Sequence, residues 1–285
     1  MTQGTEDSFT GSRGRQIFWR GHEPNGAAHA VVAISHGFGE HGGRYGAVAD
    51  HLTDSGHAVF ALDHHGHGRS RGRRALIRLD DAVADLDRLV DLAGRRHPGL
   101  PRFLLGHSMG GAIALRYALI HQAKLTGLIL SAALTQVEDR PAMRALGKLL
   151  GAVAPVLPVA KVDPGLVSRD PDVVEAYRQD PLVHHGAVPA GTAAELIRHG
   201  ERIAADAARI TLPTLLLWGT RDGLCPPTGS ALLAQRLGAE DLTAHAFSGL
   251  YHEILNEPER EVVLGHLDGW LAVHAATASA GSGGA

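Results

Sequence analysis

Five short runs of this 285-residue chain are apolar at nearly every position: 30–35, 57–63, 102–106, 125–132 and 214–219. Runs of that length without a polar face predict strands buried on both sides, as in a parallel sheet. Between them the apolar residues switch to helical spacing. Over 80–99, Val83, Leu86, Leu89, Val90 and Leu92 lie mostly along one side, and Pro98 and Gly99 stop the helix. The segment RQIFWRGHEPNG before Ala30 predicts an antiparallel edge strand with a turn at Pro24, Asn25 and Gly26. Strand–helix alternation of this kind predicts an α/β domain, a mostly parallel central sheet with helices on both faces.

The alternation breaks between Val137 and Ile210, where the sequence turns helical and loop-rich and offers no convincing strand. This predicts a core in two parts, 1–136 and 211–275, interrupted by a helical cap at 137–210. The small-residue tail ATASAGSGGA, 276–285, predicts disordered coil.

The abrupt end of one apolar run carries the first chemical signal. GHSMGG places Ser108 in a G-x-S-x-G pattern, Gly106 to Gly110, directly after a strand and before the helical pattern AIALRYAL. Such a turn holds a serine in strained geometry with small residues around it and pushes its hydroxyl above the strand end. The same residues would also suit a plain serine helix cap. A nucleophilic serine needs a base, and the base needs an orienting acid, in the chain order Ser, acid, His. Asp222 in WGTRDGLCPP follows a buried strand, and His252 in GLYHEILNEPE lies in a loop before the last helix. Two backbone amides complete the pattern: Met109 at the start of the helix after the serine, and Phe38 in ISHGFGEHGGRY after an early strand. Both are expected to donate to an oxyanion.

Composition removes other classes. A net charge of −3, with 27 Lys and Arg spread through the chain, offers no basic field for nucleic acid. The single cysteine, Cys225, forms no internal disulfide. No dinucleotide fingerprint or Walker loop is present, so no cofactor is expected. The histidines of DHHGHGRS, 63–70, lack carboxylates at ligand spacing and read better as a turn at Gly66 and Gly68 than as a metal site. The polar N-terminus MTQGTEDSFTGSRG is no signal peptide, and no apolar stretch is long enough to span a bilayer, which makes the cytoplasm the default location.

Taken together, HGFGEHGGRY, DHHGHGRS, GHSMGG, DPLV, WGTRDGLCPP and GLYHEILNEPE resemble the monoacylglycerol lipases of the α/β-hydrolase superfamily, especially actinobacterial ones, over about Phe9 to His274. The resemblance implies an esterase that releases glycerol and a free fatty acid from monoacylglycerol without cofactor or metal. It matches Ser108, Asp222 and His252 to the triad and Phe38 and Met109 to the oxyanion donors. It also matches Glu40, Arg44 and Tyr177 to the glycerol end of the site. Where related mammalian enzymes carry alanine, this chain has Phe38, and Cys225 occupies a place where the family can carry a thiol. The cap residues Met143, Leu146, Leu149, Leu150, Val153, Val156 and Leu157 are expected to line an acyl channel, and the outer face of the cap to touch lipid aggregates. The same triad serves any carboxylic ester, so a lysophospholipase or short-chain carboxylesterase is an alternative, as is a non-catalytic binding protein of the same fold.

Overall fold

The computed structural model describes residues 4–136 and 140–282. The expected start of the cap at Val137 and the last three residues of the tail lie outside them. Chain order runs β1 (Gly4–Thr10), β2 (Gln16–His22), β3 (Ala30–Ser35), α1 (Gly46–Asp54), β4 (His57–Leu62), α2 (Leu79–Arg96), β5 (Arg102–His107), α3 (Met109–His121) and β6 (Gly127–Ser131). The segment expected to form a cap follows with α4 (Pro141–Val153), β7 (Pro158–Ala160), α5 (Pro171–Gln179), β8 (Val188–Pro189) and α6 (Ala190–Asp206). The core then resumes with β9 (Thr214–Gly219), α7 (Pro227–Arg236), β10 (Leu242–Phe247) and α8 (Arg260–Ser282).

Eight strands form one sheet in the order β1-β2-β4-β3-β5-β6-β9-β10. It is parallel from β4 to β10, and β1 and β2 join antiparallel. The period-2 rule explains why the inner strands are apolar throughout. On β4, Ala58, Phe60 and Leu62 pack under α2 and α3, while Val59 and Ala61 pack against α1 and α8. The strand order reverses around β3, which lies between β4 and β5, so the loops leaving β3 and β5 diverge and open a crevice at their carboxyl ends.

Three sequence expectations are corrected. The strand at 16–22 is not an edge, because β1 covers it. GTEDSFT is mostly polar and nowhere fully buried, with only Phe9 packed against the core, so its pairing rests mainly on backbone hydrogen bonds that leave little hydrophobic signature. The cap contains a short two-stranded ribbon, β7 with β8, too brief for any alternation to be visible. The tail is not coil from Ala276: α8 continues to Ser282, since alanine is the strongest helix former and the run extends a helix already anchored by Val263, Leu267 and Leu271.

Candidate active site

Ser108 joins β5 to α3 with φ 54° and ψ −119°, a left-handed region that costs a non-glycine residue on the order of 1–3 kcal/mol. The surroundings over-determine this geometry. Its N–H donates to the Ser131 carbonyl (3.0 Å), and its carbonyl accepts from Ala112 (3.1 Å) and Leu134 (3.0 Å). The flanking glycines are steric necessities. A Cβ on Gly106 would lie 2.5 Å from the Gly110 carbonyl oxygen, one on Gly111 would lie 2.6 Å from Ala133 Cβ, and one on Gly110 would fall on the Ser35 carbonyl oxygen. The turn therefore presses α3 against the end of β3, and the Met109 amide, first in the helix, has no intrahelical acceptor.

Asp222 and His252 meet across loops that follow β9 and β10. Asp222 Oδ1 accepts from the amides of Leu224 and Cys225, both 2.8 Å, which leaves Oδ2 to meet His252 Nδ1 at 2.8 Å. Both side chains are buried. With Nδ1 engaged, Nε2 is the nitrogen left to the cavity. The loops approach closely because β9 ends in glycine: a Cβ on Gly219 would fall on the carbonyl oxygens of Leu250 and Tyr251. Donor atoms of Asp222, Cys225 and His252 lie within 4.8 Å of one another, and Cys225 Sγ is 3.9 Å from Ser108 Oγ. Burial, reinforced by the Asp222 charge, pushes the Cys225 thiol well above its ordinary pKa, so it stays protonated and neutral.

The loop after β3 supplies the other amide. His64 N–H donates to His36 Nε2 (2.9 Å), so the His36 proton resides on Nδ1, which donates to the Gly37 carbonyl (2.8 Å). In a trans peptide the carbonyl and the following N–H point apart. Holding the Gly37 oxygen toward His36 therefore turns the Phe38 N–H the other way. The Phe38 ring packs edge-on against His67 and His184. The histidines of DHHGHGRS are part of this scaffold: His64 Nε2 meets Ser35 Oγ at 2.8 Å, His65 Nε2 accepts from Arg78 N, and Gly66 and Gly68 take φ of 74° and 48° in the turn.

Ser108, Phe38, Met109, His252, Cys225, Glu40 and Tyr177 all border one cavity of about 260 Å³. Its apolar wall comes from Leu134, Val162, Val167, Val188, Leu196 and Leu224, which the sequence reading did not single out. The expected acyl-channel residues lie elsewhere. Met143, Leu146, Leu149, Val153, Val156 and Leu157 are all exposed, Leu150 is half-buried, and none of them borders the cavity. The physical reason is the way α4 docks. It meets α6 through its small residues, Gly147 against Ile197 and Gly151 against Ala190 and Ala194, so its large side chains turn outward.

A charged network that the sequence reading saw only in part forms the polar end of the cavity. Glu40 Oε1 accepts from Gly37 N–H (2.5 Å) and Tyr45 O–H (2.8 Å), and Oε2 from Arg44 (2.9 Å). Burial works to raise its pKa, but Arg44 and the Gly37 amide outweigh it and hold it down at about 2. Arg44 also grips Glu253 with two bonds of 2.5 and 2.9 Å, and stacks on the Tyr177 ring at 4.8 Å. Burial opposes the Arg44 charge, and Glu253 with Glu40 more than restores it. Among the described residues the Tyr177 hydroxyl makes no hydrogen bond to protein; burial and the Glu40 charge push its pKa up to about 12. His107, against the His252 ring at 4.7 Å, is kept neutral by burial and then by His252, its pKa lowered to about 4. Glu253 and Tyr45 lie inside GLYHEILNEPE and HGFGEHGGRY, but neither is assigned a role there; a glutamate directly after the candidate base is the one available hint.

The serine aminopeptidase S33 family model matches residues 26–259. The chain is 42% identical to the monoacylglycerol lipase of Mycolicibacterium smegmatis over 273 residues, 95% of this chain and 98% of that one. It is 34% identical to the Homo sapiens monoglyceride lipase, with 94% of this chain and 91% of that one covered. Among solved structures, the Paleococcus ferrophilus monoacylglycerol lipase superposes with a TM-score of 0.82 at 35% identity, over 90% of this chain and 99% of that one.

Proposed function

Because the chain belongs to the monoacylglycerol lipase family of α/β-hydrolases and is a carboxylic ester hydrolase, we propose that it cleaves monoacylglycerols to glycerol and free fatty acid through an acyl-serine intermediate. The observation that carries this reading is the Asp222–His252 contact beside a positive-φ Ser108, in a cavity apolar on one side and polar on the other.

The chemistry runs as follows. Ser108 Oγ attacks the ester carbonyl while His252 Nε2 takes its proton, and Asp222 fixes the tautomer that makes this possible. The Phe38 and Met109 amides hold the oxyanion; losing one such donor costs roughly 3 kcal/mol of barrier. His252 returns the proton to the leaving glycerol oxygen. Water then enters, gives a proton to His252 as it attacks the acyl carbonyl, and His252 passes that proton to Ser108 Oγ as the fatty acid leaves. The acyl chain occupies the wall formed by Leu134, Val162, Val188, Leu196 and Leu224, and the Tyr177 hydroxyl is free to bond the glycerol.

Charge favours a neutral head group over a phosphate. Two buried carboxylates, Glu40 and Glu253, share one guanidinium at the polar end, and Asp222 adds a third negative charge nearby; the positive Lys161 borders the cavity from the exposed cap. A lysophospholipid would bring its phosphate into that field.

The exposed apolar row on α4 and the segment after it, Met143, Leu146, Leu149, Val153, Val156, Leu157 and Val159, supports peripheral contact with the lipid surface that supplies substrate. Among the described residues no helix is long and apolar enough to cross a membrane.

A fluorophosphonate probe should label the wild type and not Ser108→Ala, which also loses esterase activity. In a substrate panel, 1- and 2-monooleoylglycerol should be cleaved at least ~10-fold faster, as kcat/KM, than lysophosphatidylcholine or triolein, a gap of about 1.4 kcal/mol. Equal turnover of the lysophospholipid would replace the proposed substrate, and an unlabelled wild type would end the serine-hydrolase reading.

A further inference from the structure

We infer that Glu253 is a positioning residue that ties the loop carrying the general base to the loop carrying the Phe38 oxyanion donor. The inference rests on the catalytic reading of Ser108, His252 and Phe38 given above.

Glu253 follows His252 directly and is buried, yet its carboxylate has almost nothing left for a ligand. Oε1 accepts from Arg44 Nη1 (2.5 Å), and Oε2 accepts from Arg44 Nη2 (2.9 Å) and Asn256 Nδ2 (2.9 Å). Arg44 passes the connection on to Glu40 Oε2, and Glu40 Oε1 holds the Gly37 N–H at 2.5 Å. The next amide along the chain is that of Phe38. Three side chains thus join the two halves of the catalytic apparatus, 209 residues apart in sequence between Arg44 and Glu253, through charge-assisted bonds.

Several features make this a brace between loops and more than local packing. The Arg44–Glu253 pair is a two-bond fork, which fixes orientation as well as distance. Glu253 N–H also donates to the Val167 carbonyl of the cap (2.7 Å), so the main chain at this residue is held while the side chain reaches across the cavity. On the far side, Glu40 is secured independently by the Tyr45 hydroxyl (2.8 Å). A shift of Glu253 is therefore passed through Arg44 to Glu40, whose Oε1 holds the Gly37 N–H, one residue before the Phe38 amide. Transition-state stabilisation falls steeply with such displacements, because an oxyanion donor acts over a narrow range of distance.

The test compares Glu253→Gln and Arg44→Lys, which keep size or charge but break the fork, with wild type on a soluble ester. In Glu253→Gln, kcat should fall 10- to 100-fold with KM within about twofold. The Ki of a trifluoromethyl ketone, whose hemiketal oxygen mimics the oxyanion, should rise by the same factor as kcat/KM falls. Binding of a non-hydrolysable ether analogue of the substrate should hold within twofold. The double variant should be no slower than the slower single variant, because both break one connection. The inference is overturned if ketone affinity and kcat stay within twofold of wild type while only the melting temperature drops, which would make the pair purely structural. It is equally overturned if the ether analogue weakens in step with the ketone, which would make Glu253 a substrate contact, or if the two losses multiply. Fluorophosphonate labelling of wild-type Ser108 is unaffected by these outcomes, so failure here is distinct from failure of the serine-hydrolase reading.

Discussion

Ser108 and Asp222 illustrate how much this site depends on backbone acceptors and donors around single residues. Asp222 uses one oxygen to accept two amides and the other to meet His252, so its orientation is decided before the imidazole arrives. Asp222→Asn should keep the amide contacts through its carbonyl oxygen and turn an NH2 toward Nδ1. That forces the imidazole into the tautomer whose Nε2 carries a proton and accepts none. The expected loss in kcat is on the order of 10⁴-fold with little change in melting temperature, measured with a soluble ester and by calorimetry. A variant within tenfold of wild type would show that Asp222 does not set the tautomer.

At the scale of elements, α4 is the instructive case. A helix whose glycines face its neighbour and whose leucines face water gains little from the hydrophobic effect in the isolated chain, and its docking on α6 is a close backbone approach at Gly147 and Gly151. The outward row of Met143, Leu146, Leu149 and Val153 makes sense if it partitions into lipid. Leu149→Ser with Val153→Ser should reduce sedimentation with phosphatidylcholine–monoolein vesicles at least ~10-fold, given roughly 1.5–3 kcal/mol for each large side chain buried. Hydrolysis of a short soluble ester should stay within about twofold. Unchanged vesicle binding would remove α4 as the contact surface. The segment at 140–210 is also wired to the loop after β3: His41 pairs with Asp180 at 2.9 Å, and His184 N–H donates to Gly39 O at 2.6 Å. The DPLV segment and His184 after it thus help to hold the loop that follows β3.

For the whole molecule, buried histidines make acid the expected stress. His36, His64, His67 and His107 are all lowered by burial, so each is favoured in its neutral form in the fold. An unfolded His107 takes a proton near its ordinary 6.5, whereas the folded residue waits until about 4. Between those values the unfolded state binds more protons, so stability rises with pH across the window and is lost as pH falls from 6.5 to 4. Glu40, depressed from 4.5 to about 2, extends the same trend: its contribution is present above 4.5 and disappears as pH approaches 2. Urea unfolding at pH 7, 5 and 4 should therefore show stability falling steadily. His107→Asn should flatten the slope between 6.5 and 4, by on the order of 3 kcal/mol over the window. An unaltered slope would mean that His107 contributes nothing to the acid sensitivity.

What the sequence by itself determined was everything governed by local sterics and by chain order. The strands Ala30–Ser35 and Thr214–Gly219 were legible from unbroken apolar runs, because burial on both faces leaves no alternative pattern. The turn at Ser108 was legible because only small residues tolerate its neighbours' positions, and the loop positions of Asp222 and His252 because each follows a strand. Their meeting at 2.8 Å, by contrast, is a property of the sheet, which brings the ends of β9 and β10 side by side. The tertiary structure alone decided which apolar cap residues border the cavity. Helical periodicity marks an apolar face without saying what the face meets, and here Gly147 and Gly151 took the inward side. It alone decided the edge strand β1, held mainly by its backbone ladder, and the burial of Glu253, a charge that is stable in the interior because Arg44, 209 positions earlier, folds over it. Local sequence encodes conformation; the partner that makes a buried charge stable is supplied by the fold.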